Sequence, residues 1–206
     1  MARHPGTQVL IVSEGTSAQV FEGDAGGVGP MSYTGRLAEK RRCTRVALGR
    51  LNATLVAEGT FVDQRLERSR LEICRWIEGH LRVVRPAVVL THNPTDLNLD
   101  HRIVAEAVAV AVRPYTEAGR GIRTVLGFHV DPWPAPSLLA PAPTVFLSLV
   151  PWELDGKLAA CAAYQSEMRP SPHPRSLDAI RAHAHLIGHW VGVEAAEPYT
   201  LYWGRW

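Results

Sequence analysis

The feature that most constrains this chain is an alternation of short β-branched runs with helix-length segments. "TQVLIVSEGT" (7–16) reads as a buried strand closing on Glu14-Gly15. "RLAEKRRCTRVALGRLN" (36–52) follows as a helix, with Leu37, Val46 and Leu51 among its apolar positions. "ATLVAEGT" (53–60) is a second strand. "LERSRLEICRWIEGHLRVV" (66–84) is an amphipathic helix in which Ile73, Ile77, Leu81 and Val84 make one face. Pro86 ends it, and "AVVLTH" (87–92) is a third strand. "DHRIVAEAVAVAVR" (100–113) is the next helix. Val104, Ala107, Val108 and Ala111 line its inner face, Asp100 sits at or near its N-cap, and Pro114 stops it. "GIRTVLGFHV" (121–130) and "TVFLSL" are further strands, and "PWELDGKLAACAAYQSE" (151–167) is a helix. The last helix opens at Ser176, and "AEPYTLYWGRW" closes the chain as an edge strand. Strands alternating with helices predict an α/β fold, a parallel sheet with helices on both faces. No repeat and no linker interrupts the chain, so residues 1–206 read as one domain.

Ligands of such sheets bind beyond the carboxyl ends of the strands. Here those ends carry Glu14, Asp63, the segment His92 to His101, and His129. Other classes have little support. A formal net charge of +2 gives no bulk attraction to nucleic acid. No apolar run reaches the ~20 residues of a membrane span, and the N-terminus lacks the apolar core of a secretory signal. Cys43, Cys74 and Cys161 are odd in number and widely spaced, so they read as buried apolar residues in a reducing, cytoplasmic setting.

The segment "THNPTDLNLDHR" (91–102) concentrates the chemistry. Asp96, Asn98, Asp100 and His101 fall within six positions. Imidazole and carboxylate are ordinary zinc ligands, and a catalytic zinc takes three protein ligands plus a water. That water becomes nucleophilic near neutral pH, with neighbouring groups moving its protons. The same residues also read as a helix start, with Asp100 a cap and His101 a first-turn residue. Spacing alone leaves both readings open. His185 and His189 share a helix at i,i+4 spacing, but no H-E-x-x-H motif joins them, so they read as structural.

"THNPTDLNLDHRIVAEAVAVAVRP" resembles the second signature of the PIG-L (LmbE-like) zinc-dependent de-N-acetylases, in the subgroup whose loop reads D-L-N-x-D-H-R. "TFVDQRL" (60–66), "KLAACAAYQSEMRPSPHPRSLDAI" (157–180) and "GVEAAEPYTLYW" resemble further segments of that family, in order along nearly the whole chain. The resemblance implies a Rossmann-like fold, a zinc cofactor, and removal of N-acetyl groups from N-acetylglucosamine-type sugars or related amines. It makes His101 a zinc ligand. Asp100 orients the groups around the metal, and Asn98 hydrogen-bonds the developing oxyanion. His92 or His129 would protonate the leaving amine. Arg36, Asp63, Asp96 and His129 are the candidates on the substrate side, with Trp133 and the loops 20–35 and 131–143 setting specificity. A homo-oligomer is compatible with the resemblance.

One family element has no counterpart. The first signature, His-Pro-Asp-Asp at the end of the first strand, supplies two zinc ligands and the general base. His4-Pro5 is followed by Gly6-Thr7 and does not match it. The expectation is therefore a shortened domain without the first strand and most of the first helix. In the order 3-2-1-4-5 that strand is central, so its neighbours would lose a partner. Either the motif lies upstream in the gene, or the shortened chain closes up or borrows a strand. As it stands the zinc site is incomplete and predicts little or no hydrolysis. The alternative is a non-catalytic relative that binds a sugar or serves as a partner protein.

Overall fold

The computed structural model describes residues 6–16, 32–130 and 142–205. His4-Pro5, Trp133 and most of the two loops assigned to specificity lie outside them. The chain forms two compact units, residues 1–64 with 148–197 and residues 65–147 with 198–206.

In the first unit β1 (Gln8–Ser13) runs parallel to β2 (Thr54–Phe61). A Cβ at Gly59 would overlap the Val12 carbonyl, so the strands approach closely because that residue lacks one. The intervening helix α1 (Tyr33–Arg50) starts at Ser32, whose hydroxyl accepts from the Gly35 amide at 3.2 Å. Its buried residues are Cys43, Thr44 and Ala47, whereas Val46 is 40% exposed. The sequence reading counted Val46 among the apolar positions of this helix. The buried stripe instead uses small side chains, which let α1 pack closely on α4 (Pro151–Ala162). Glu153 caps α4 by accepting from the Val150 amide at 2.9 Å. The helix ends five residues before the expected 167, because Ala163 and Tyr164 turn back to Ala160 and Cys161 in a tightened last turn. Helix α5 (Leu177–Trp190) begins at Ser176 as expected, with the Ala179 amide 3.1 Å from its hydroxyl. Leu154, Leu158, Ala184 and Ala195 form the core between α4 and α5.

The second unit carries most of a sheet in the order β3-β4-β6-β5. β3 (Val88–His92) is parallel to β4 (Thr124–Phe128), and β4 is antiparallel to β6 (Ala196–Gly204). β5 (Val145–Ser148) completes the sheet. The C-terminal strand β6 is thus interior, not the edge strand the sequence suggested. Pro198 precedes Tyr199, the first residue paired with β4, so its missing N–H breaks no bond of that ladder. Helix α2 (Arg70–Val84) follows a 3₁₀ turn at Leu66–Ser69 and buries Ile73, Cys74, Ile77 and Leu81. It packs on α3 (Leu99–Ala111), whose Val104, Ala107, Val108 and Ala111 are all buried as the spacing predicts.

The strands make two sheets, one of two strands and one of four. β1 pairs with β2 and β3 ends the larger sheet beside β4, so each has one strand partner among the described residues. Among the described residues the strands are not joined in one sheet.

Candidate active site

β3 delivers His92 and Asn93 to the carboxyl edge of the larger sheet, and the next five residues turn into α3. That turn is braced by its own polar side chains. The Asp96 carboxylate accepts from the Asn98 amide at 2.8 Å, and the Asn98 side-chain oxygen accepts from the Asp100 amide at 2.9 Å. Asn98, not Asp100, is the N-cap of α3, because its backbone is extended and its oxygen reaches the second helical amide. With that oxygen engaged, the NH2 of the exposed Asn98 amide is the donor that remains.

His101 lies in the first turn of α3 and stacks on His92, ring centroids 4.1 Å apart and 22° from parallel. His101 Nδ1 is 3.1 Å from Asp96 Oδ2, close but poorly aligned for a hydrogen bond. Burial would raise the Asp96 pKa, but the His101 ring, the Asn98 amide and the charge of both histidines outweigh it and hold it below the usual carboxylate range. His92 is wedged between His101 and Phe128, whose ring centroid is 4.7 Å away. Burial, and then the neighbouring His101, depress its pKa to about 4. At neutral pH His92 is uncharged and has no extra proton to give.

Asp100 is buried and plays a different part. Its carboxylate accepts from the Leu66 amide at 3.3 Å, which ties the start of the 3₁₀ turn to α3. His129, just past β4, lies 3.1 Å from the Thr200 hydroxyl through Nε2, with the Asn93 amide nitrogen 3.4–3.5 Å from both ring nitrogens. The structure thus gathers His92, Asp96, Asn98, Asp100, His101 and His129 in one unit. Arg36 and Asp63 belong to the other. There the Ser13 hydroxyl donates to Asp63 at 3.3 Å, and the Asp63 amide donates to Glu14 at 3.3 Å. Arg36 sits in the first turn of α1 with its Nε buried and unpartnered among the described residues.

Three residues of this cluster escaped the sequence reading: Asn93, Thr200 and Tyr202. Asn93 is 4% exposed, and the Tyr202 hydroxyl donates to its side-chain oxygen at 2.7 Å. A polar residue directly after a buried strand was the available signal for Asn93. Nothing in the sequence marks Tyr202.

Among the described residues the set that a catalytic zinc needs is not assembled. Three protein ligands are usual. Among the described residues no group of three or more His, Cys, Asp or Glu side chains is arranged to hold an ion. His101 with Asp96 beside it is a partial set.

The class of fold is now defined. The chain is built on the Rossmann-like α/β fold of the LmbE-like (PIG-L) deacetylases. No family model and no curated protein sequence matches it. Solved structures do. The A40926 pseudoaglycone deacetylase aligns over 98% of this chain and 87% of its own, with a TM-score of 0.72 and 18% identity. The N,N'-diacetylchitobiose deacetylase of Pyrococcus horikoshii, solved with an inhibitor, aligns over 95% of this chain and 72% of its own (TM-score 0.69, 15% identity). The 4-carboxy-2-hydroxymuconate hydratase of Pseudomonas putida aligns over 98% and 85% (TM-score 0.69, 21% identity). Two deacetylases and a hydratase share the fold, so the fold alone does not choose the reaction.

Proposed function

We propose that this chain is a PIG-L-type protein directed at the N-acetyl group of an N-acetylglucosamine-type sugar or a related amide. The observation that supports this reading best is the braced loop at the carboxyl end of β3. It holds an imidazole against a carboxylate, His101 with Asp96, next to the amide donor of Asn98. The fold is shared with an N,N'-diacetylchitobiose deacetylase and with the A40926 pseudoaglycone deacetylase. In this proposal His101 faces a metal, which would supply an activated water, and Asn98 donates to the charge that develops on the acetyl oxygen. Asp100 holds the loop, and the charge of Asp96 lies against the His101 ring.

The same geometry argues that hydrolysis by this chain is weak or absent. Among the described residues, one imidazole and one adjacent carboxylate fall short of three ligands. That shortfall is what favours the second reading, a non-catalytic relative that binds the acetylated sugar. One experiment separates the two. Acetate release from N-acetylglucosamine and diacetylchitobiose is followed over a range of added zinc, alongside calorimetric titration of the same sugars. Saturable binding without acetate supports the binding protein. Zinc-dependent acetate release abolished by His101→Ala supports the enzyme. Neither binding nor release removes the sugar from the account.

A further inference from the structure

The ladder between β4 and β6 contains one extra residue. Val125 pairs with Trp203 and Leu126 with Leu201, so Tyr202 has no opposite number. A bulge of this kind redirects the side chain of the unpaired residue. Tyr202 crosses β4 at Gly127, where a Cβ would overlap its hydroxyl and lie 2.6 Å from Cζ. Beyond Gly127 the Tyr202 hydroxyl reaches the end of β3. It lies 2.7 Å from the Asn93 side-chain oxygen and 3.3 Å from the His92 carbonyl.

The geometry points to Tyr202, with Gly127 as its passage, as a positioning residue for the His92–Asn93–His129 corner of the site. The inference rests on the functional reading above only in giving that corner a reaction to serve. Its logic is directional. An amide oxygen accepts only, so the phenol donates to Asn93. Asn93 must then turn its NH2 toward His129, which has to answer with an unprotonated ring nitrogen. The Thr200 hydroxyl, 3.1 Å from Nε2, takes the complementary role to whichever ring nitrogen accepts from Asn93, so the neutral ring keeps its proton on one defined nitrogen. The chain of bonds holds His129 in one neutral tautomer and fixes the corner that bears the His92 ring. Asn93 and Thr200 are 4% and 6% exposed, so water does not compete for these groups. Burial raises the Tyr202 pKa to about 12, which keeps the phenol a donor throughout the neutral range.

The test reads this chain of bonds directly and does not depend on turnover. Long-range 1H–15N spectra of the ring nitrogens are recorded for the wild type, Tyr202→Phe and Gly127→Ala. The wild type should show His129 as a single neutral tautomer, with one protonated and one bare nitrogen. It should also show a slowly exchanging Tyr202 hydroxyl proton. Each substitution should shift the His129 nitrogens toward an averaged pair of tautomers, and the double variant should shift them no further. His183 and His189 on α5 should not move. An unshifted His129 in folded Tyr202→Phe overturns the proposal. So does a wild type without a protected hydroxyl proton, which needs no variant to fold. A wild type that binds and hydrolyses no sugar, yet gives these spectra, overturns the functional reading and leaves the positioning role standing.

Discussion

Asn98 and Asp100 divide the work of one loop, and single substitutions separate their parts. Asn98 caps α3 with its oxygen and keeps its NH2 free to donate. Asn98→Asp preserves an oxygen at the cap and places an anion at a helix N-terminus, so urea unfolding should place it within about 0.5 kcal/mol of wild type. Asn98→Ala should lose about 1 kcal/mol. Equal stability of the alanine variant would show that the cap bond contributes nothing. Asp100→Ala should cost more, roughly 1–3 kcal/mol in the same measurement, because it strips a buried amide of its acceptor. A loss below about 0.5 kcal/mol would remove Asp100 from the structural role described here. At this scale the loop was legible, since Asp, Asn and His in close succession before an apolar helix announce turns, caps and chemistry together. The depressed His92 pKa was not legible. It comes from Phe128 and His101, which pack around it from another strand and a helix. Tyr202 was hidden for a similar reason: a bulge is a mismatch between two strands, and one strand's sequence does not record it.

At the level of elements, apolar periodicity was a sound guide where a helix buries only apolar residues. The inner faces of α2 and α3 follow it closely. It failed on α1, whose buried stripe is made of small residues with charged side chains at its border. Lys40 bonds Glu167 at 2.5 Å, and Arg41 pairs with Glu58 at 3.0 Å. These partners come from distant parts of the chain, so the helix alone looked polar on that side. Burial would raise the Glu167 pKa, but the bond to Lys40 and the charges of Lys40, Arg175 and Arg169 win and hold it below its ordinary 4.5. A depressed carboxylate contributes stability above its unfolded pKa and loses it as pH falls through the folded value. Wild type should therefore be more stable than Glu167→Gln at pH 7. The gap should shrink as urea unfolding is repeated from about pH 5 down to about pH 3. A gap that stays constant over that range would show that the Lys40 pair is not what stabilises this contact.

For the molecule as a whole, the α/β class and the order of elements were readable from alternation, and the likeness to deacetylase folds extends over almost the entire chain. The described strands form two sheets, β1-β2 and β3-β4-β6-β5, where the sequence led to the expectation of one mostly parallel sheet. The reaction is less determined than the fold, since a hydratase shares it. In the proposed reading the loop at β3 is what favours amide chemistry, and the partial ligand set among the described residues is what limits it. The central proposal is that His101 belongs to a hydrolytic site for which the described residues assemble no three-ligand set for a catalytic zinc. The direct test is zinc content by elemental analysis after dialysis against zinc-containing buffer and then buffer alone, for wild type and His101→Ala. The account predicts well below one zinc per chain in both. One zinc per chain in the wild type, lost in His101→Ala, would contradict it.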